Sequence, residues 1–178
     1  QLPDPGGGNV TIKNCIFNQN IKGVSDSQAI RSYGGFFNNT FWNNTIYSYS
    51  NVGAITIWNN NNTNISWNTI IQNGSYTGNG SGMDIQQSYS LFIDYNIVNA
   101  TAVQSNAISY TTGNATIRGN KLNTTSTNAN ALGLTSLIQG TTVLENTLLT
   151  SATGGMGLSS TSLQITQSND LLIRGNTI

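Results

Sequence analysis

One short phrase, returning along the chain, governs what this sequence can fold into. It is clearest as Ile117-Arg118-Gly119-Asn120-Lys121-Leu122 and again as Ile173-Arg174-Gly175-Asn176-Thr177-Ile178. Looser copies run Phe41-Trp42-Asn43-Asn44-Thr45-Ile46, Ile65-Ser66-Trp67-Asn68-Thr69-Ile70, Ile93-Asp94-Tyr95-Asn96-Ile97-Val98 and Val143-Leu144-Glu145-Asn146-Thr147-Leu148. A contracted copy, Ile12-Lys13-Asn14-Cys15-Ile16, opens the series. The recurring Asn falls at 14, 44, 68, 96, 120, 146 and 176, in steps of 30, 24, 28, 24, 26 and 30 residues. Self-similarity at such a period is the signature of stacked repeats, in which one unit cannot bury its own apolar face and the next unit completes it. The phrase itself reads as a short strand, a turn at Asn and the start of another strand.

A second strand in each repeat begins with a small residue and alternates: Ala29-Ile30-Arg31-Ser32, Ala54-Ile55-Thr56-Ile57, Met83-Asp84-Ile85, Ala107-Ile108-Ser109-Tyr110, Ala131-Leu132-Gly133-Leu134 and Met156-Gly157-Leu158. Alternation with period two marks a strand with one buried face. No stretch holds a 3.6-residue period, so no helix longer than a turn is expected. Short strands in repeats of 24–30 residues fit an all-β solenoid of about seven rungs over residues 9–178, with rungs pairing in parallel about 4.8 Å apart. Asn tolerates the left-handed conformation that a corner between strands requires. Asn44, Asn68, Asn96, Asn120, Asn146 and Asn176, stacked one over another, are expected to form an amide ladder.

Residues 1–8, with two prolines and three consecutive glycines, read as a linker. The chain opens without Met or a signal-like apolar segment and stops in mid-phrase, so the coil is expected to be part of a longer chain. An open rung exposes apolar side chains and strand edges, which makes self-association through coil ends a second expectation. The 43 Leu, Ile, Val and Phe among 178 residues suffice for a core. Against them stand 28 Asn, 42 Ser plus Thr, 7% charged residues and zero net charge, so hydration of the surface rests on amides and hydroxyls. Without a basic face there is no footprint for nucleic acid. No run of 18 apolar residues occurs, so no membrane-spanning helix is expected. Cys15 is alone and reads as a small core filler. The absence of His removes His-type zinc sites and His bases.

The Ile-x-x-Asn-x-hydrophobic repeat resembles the right-handed parallel β-helix of pectate-lyase-like proteins and their adhesin-like relatives, across residues 9–178. That fold hosts lyases, hydrolases, phage tailspikes, adhesins and plain structural coils, so the resemblance implies architecture and not chemistry. Polygalacturonase-type members bring several Asp together with a His and a Lys. This chain has no His, no Asp-Asp pair and no Arg-x-Lys segment. Pectate lyases gather Asp for calcium beside a basic Arg or Lys. A calcium site takes six to eight oxygens, and the acids here number six: Asp4, Asp26, Asp84, Asp94, Glu145 and Asp170. No metal, cofactor or catalytic residue is therefore assigned.

Aligning the phrases puts Lys13, Trp42, Ser66, Asp94, Arg118, Leu144 and Arg174 on one outward column. Arg31, Thr56, Asp84, Ser109, Gly133 and Gly157 form the other. Asp94 and Arg118 fall on neighbouring rungs, within reach of an ion pair of the weak, solvated kind. All fifteen aromatic residues lie between Phe17 and Tyr110. Trp67 and Tyr95 share the position just before the ladder Asn, and Trp42 and Trp58 are near in sequence. Outward aromatics make sugar platforms or interface anchors. The candidate contact residues are thus Trp42, Trp58, Trp67, Tyr95, Asp84, Asp94 and Arg118. Sequons at Asn9, Asn38, Asn43, Asn61, Asn64, Asn73, Asn79, Asn99, Asn114 and Asn123 are candidate N-glycosylation sites. The reading that follows is a non-enzymatic, extracellular or cell- or virion-surface module, adhesin-like or fibre-like, whose partners are glycans or other surface proteins. The alternative is a polysaccharide lyase or glycoside hydrolase of the same fold.

Overall fold

A computed structural model describes residues 8–19, 28–35, 37–49, 52–73, 80–101, 104–125, 129–151, 161–166 and 168–178. Its strands are β1 (Thr11–Lys13), β2 (Ile16–Gln19), β3 (Ile30–Tyr33), β4 (Thr40–Trp42), β5 (Thr45–Ser48), β6 (Gly53–Trp58), β7 (Asn64–Ser66), β8 (Thr69–Gln72) and β9 (Ser81–Asp94). They continue as β10 (Ile97–Ala100), β11 (Ile108–Arg118), β12 (Lys121–Thr124), β13 (Asn130–Gln139), β14 (Thr142–Leu144), β15 (Thr147–Thr150), β16 (Thr161–Ile165), β17 (Ser168–Asn169) and β18 (Leu172–Arg174). Among the described residues there is no helix.

Every pairing between these strands is parallel, and every partner lies one coil away. The chain is a β-solenoid. The phrase strands stack β1–β4–β7–β9–β11–β14–β18. The sequence suggested two strands per repeat; the coil has three segments, because the residues after the ladder Asn form their own sheet, β2–β5–β8–β10–β12–β15. The alternating segments stack beside the phrase strands, and in β9 and β11 the two run together as one bent strand.

The core is built from files of like residues. Phe41, Ile65, Ile93, Ile117 and Val143 follow one another in register and are fully buried. Ile46, Ile70, Val98, Leu122 and Leu148 do the same after the corner. Ile55, Met83, Ile108 and Leu132 form a third file. Each buried side chain of this size contributes about 1.5–3 kcal/mol relative to exposure.

The Asn ladder is present from Asn44 to Asn176. The backbone N–H of each ladder Asn donates to the side-chain Oδ1 of the next, at 3.0, 2.9, 2.9, 2.9 and 2.8 Å. Each Nδ2 also donates to that same oxygen, at 2.9–3.0 Å. It further donates back to a phrase-strand carbonyl of the preceding coil, as Asn96 does to Ile65 O at 2.8 Å. One amide therefore ties three coils, in a place where an unpartnered buried group would cost about 1–3 kcal/mol.

Two details of this corner differ from expectation. The left-handed residue is not the ladder Asn but the one before it: Asn43 (φ 52°), Trp67 (62°), Tyr95 (55°), Gly119 (65°), Glu145 (56°) and Gly175 (67°). The bend precedes the ladder position, and the Asn is selected for its amide rather than for its backbone. In the first coil Asn14 is the left-handed residue, with φ 56°. Lys13 pairs with Trp42, so Cys15, not Asn14, takes the ladder slot, and Cys15 N–H donates to Asn44 Oδ1 at 3.1 Å. The opening phrase is not contracted, and Cys15 is half-buried rather than a core filler.

Candidate functional site

The register places Lys13, Trp42, Ser66, Asp94, Arg118, Leu144 and Arg174 in one outward column, as aligned from the sequence. The second column, Arg31, Thr56, Asp84, Ser109 and Gly133, also holds, but its next member is Gln164. The segment Met156-Gly157-Leu158, like Asp4, Asp26 and Asn79, lies outside the described residues.

At the ladder corner, Trp67 and Tyr95 stack with centroids 4.7 Å apart and planes 20° apart. The solenoid's inter-rung spacing matches the thickness of a stacked ring pair, so adjacent coils bring the two together. Tyr95 is covered on its other side. A Cβ on Gly119 would stand 2.5 Å from both Tyr95 Cδ1 and Cε1, so that edge of the tyrosine ring lies close against the glycine. Trp67 remains the most open aromatic side chain of the column, 55% exposed against 38% for Tyr95. Both hold positive φ, which is uncommon for bulky residues and costs about 1–3 kcal/mol each.

Beside the stack, Arg118 Nη2 donates to Asp94 Oδ2 at 3.2 Å, and the guanidinium carbon sits 5.3 Å from the Tyr95 ring centre. This is not the freely solvated pair expected: the Asp94 side chain is 12% exposed and that of Arg118 is 42%. Burial pushes the Asp94 carboxyl above the usual carboxylate range, and the charge and hydrogen bond of Arg118 pull part of that back. Asp94 Oδ1 and Arg118 Nε have no partner in the protein.

Trp58 and Asp84 do not join this group; they lie on the alternating segment, across the second corner from the phrase strands. Trp58 meets Tyr33 edge-on at 4.3 Å, and its indole N–H donates to Gln87 Oε1 at 2.7 Å. Asp84 accepts from Gln86 Nε2 at 3.2 and 3.0 Å, and burial raises its carboxyl. Trp42 is in the Asp94 column, two coils earlier, and exposed. Among the described residues no group of three or more His, Cys, Asp or Glu could hold a metal ion.

The second corner contains what the sequence reading missed. From Met83 to Asp94 is eleven residue steps, from Ile108 to Arg118 ten, and from Leu132 to Leu144 twelve, although the ends are in register. The middle coil is drawn in between two longer neighbours. Gly113 absorbs the shortening at φ 144°, with its backbone so close to the previous coil that a Cβ would lie 1.8 Å from Ser88 O. Two hollows open there, of about 190 and 200 Å³, and both are lined by Asn114. Tyr89 borders the first and Phe92 the second, both exposed. Close by, Tyr110 OH donates to Ser88 O at 2.7 Å, and one coil earlier at the same corner Asn60 Oδ1 accepts from Ser32 Oγ and Asn39 Nδ2 at 2.7 and 3.1 Å. The one-residue deficit between Ile108 and Ile117 is legible in the sequence once repeats are aligned on both strands rather than on the phrase alone.

Among the candidate acceptors of N-glycans, Asn9, Asn38, Asn43, Asn61 and Asn73 are exposed, while Asn64, Asn99, Asn114 and Asn123 are half-buried.

No known family matches the chain by sequence, and no curated protein matches it. In the solved structures it is similar to the A-module of the Azotobacter vinelandii mannuronan C-5 epimerase AlgE6, with a TM-score of 0.57 and 11% identity over 97% of this chain. The chain spans 42% of that module's length. The A-module of AlgE4 from the same organism gives a TM-score of 0.39 at 11% identity, over 96% of this chain and 58% of that one. The first likeness supports the shared β-helix architecture.

Proposed function

We propose that this solenoid is a non-enzymatic, surface-displayed module that binds carbohydrate on its phrase face, with Trp67 as the platform. One observation carries the reading. A solvent-open indole is held in a costly backbone conformation, braced from behind by Tyr95, and flanked by an Asp–Arg pair whose guanidinium side chain is 42% exposed. Ring faces bind the C–H side of sugars, and adjacent polar groups orient hydroxyls. The low charge and the abundance of amides and hydroxyls suit an extracellular surface, with glycans as partners.

A glycan array followed by titration calorimetry tests this. Wild type is expected to bind one or more extended glycans, and Trp67→Ala to lose about thirtyfold in affinity, a hot-spot loss of about 2 kcal/mol. Equal binding by wild type and Trp67→Ala sinks the reading.

A second reading, a polysaccharide-active enzyme, is favoured by the raised Asp94 carboxyl beside Arg118. A carboxyl tuned toward neutrality next to a cation is an acid–base candidate. The fold likeness to a module named for its action on mannuronan points to polyuronates as the first substrates to try. Depolymerisation or epimerisation of polymannuronate by wild type, abolished in Asp94→Asn, would replace the first reading with the second.

A further inference from the structure

The hollows, Phe92, the Asp94–Arg118 pair and the Trp67–Tyr95 stack are not scattered. They occupy one band across the phrase face and the corner beside it, within the coils of β7, β9, β11 and β13. On β9, Phe92 and Asp94 alternate outward on the same face, and their partners on β11 are Thr116 and Arg118. From Ser90 at one corner to Tyr95 at the other is five residues, roughly 16 Å of strand. Along the coil axis the same columns change character at every step: Lys13, Trp42, Ser66, Asp94, Arg118, Leu144. A ligand with repeating chemistry meets continuity across the face, not along it.

Resting on the carbohydrate reading above, we infer that the ligand is an extended, hydroxyl-rich oligosaccharide that crosses the phrase face at right angles to the coil axis, with the two hollows at Asn114 as further sugar subsites. Asn114 forms the wall that they share. Its Oδ1 accepts the Ser90 backbone N–H, which fixes the amide in place and turns the Nδ2 donor to sugar hydroxyls. Tyr89 and Phe92 supply apolar edges to the two hollows. At the shortened corner each hollow has about 190–200 Å³, room for a single sugar ring.

The test uses ¹⁵N-labelled protein and β-1,4-linked oligomers of glucose, mannose and mannuronate, two to six units long. Short oligomers are expected to shift the Trp67 indole N–H alone. Longer ones are expected to shift, in addition, the Asn114 side-chain amide and the backbone amides of Ser90 and Gly140. Asn114→Asp keeps the acceptor for Ser90 N–H and removes the donor. It is expected to weaken the hexamer about three- to tenfold, one hydrogen bond's worth, and to leave the dimer unchanged. Asn114→Ala should do the same if it folds. Shifts that run instead through Trp42 and Leu144, with Asn114 and Gly140 still, overturn the crossing path while leaving Trp67 as platform. Long oligomers that move neither group overturn both proposals together.

Discussion

The two corners that flank each phrase strand solve the same bend in opposite ways. At the ladder corner one residue type recurs from Asn44 to Asn176, and each amide is satisfied from the coil before and the coil after. At the second corner Asn60, Ser88, Gly113 and Thr141 take turns, and the number of residues changes from coil to coil. Repetition at the first leaves no room for anything but structure on its inner side. Variation at the second opens hollows. The contrast separates the corner that holds the coils in register from the corner that gives the surface its relief.

The largest effect expected from disturbing that contrast is at the ladder. Asn96→Ala leaves Asn68 N–H without its acceptor, takes one of three acceptors from Asn68 Nδ2, and removes a donor to Ile65 O. It should lower the unfolding free energy by about 2–5 kcal/mol, one orphaned N–H and two lost hydrogen bonds, in urea titration. Asn60→Ala should lose about 1–3 kcal/mol: Ser32 Oγ and Asn39 Nδ2 lose an acceptor and Trp58 O a donor, but the groups that lose their acceptor are side chains that can reorient rather than a fixed backbone N–H. Equal losses at the two sites would break the comparison.

Gly113→Ala comes next, since its Cβ would collide with Ser88 O. A loss of about 2–4 kcal/mol is expected from strain and overpacking, read as a drop in urea midpoint. A neutral outcome would mean that the short coil can relax outward and that the hollows are not fixed. Gly119→Ala should lose about 1–2 kcal/mol for its left-handed backbone and displace the ring of Tyr95 from its stacked position on Trp67. Near-ultraviolet circular dichroism of the stacked pair would report the displacement.

Much of this could be read from residues alone, and the boundary is instructive. The phrase fixed the outward column from Lys13 to Arg174 because parallel coils in register preserve sequence alignment as spatial alignment. It also brought Trp67 onto Tyr95. It misjudged which residue bends, because Asn is both the best left-handed residue and a good ladder amide, and only the coils with Trp67, Tyr95 and Glu145 separate the two roles. It set Trp58 beside the stack because nearness in sequence hides the intervening corner, whereas Asp84 already stood on the second column. The hollows carry no motif; they arise from a difference in length between neighbouring coils, which no single repeat displays.

The smallest expected effect concerns Asp84. Its carboxyl is raised above the ordinary value of 3.8 by burial, so the folded state keeps that proton longer than the unfolded chain does. Stability from this group is therefore present at low pH and is lost as pH rises from 3.8 through the folded value. Asp84→Asn should melt slightly above wild type at neutral pH, and the advantage should disappear below the ordinary carboxylate range. A difference in melting temperature that does not vary with pH would assign the effect to packing.

The drawn-in coil at Gly113 has a bearing on how a surface like this diversifies. Because the ladder holds neighbouring coils in register whatever the number of residues between, adding or removing one residue at the opposite bend sculpts relief without unthreading the core. Depth, spacing and placement of depressions then become matters of local length, adjustable coil by coil through the insertion or deletion of single codons.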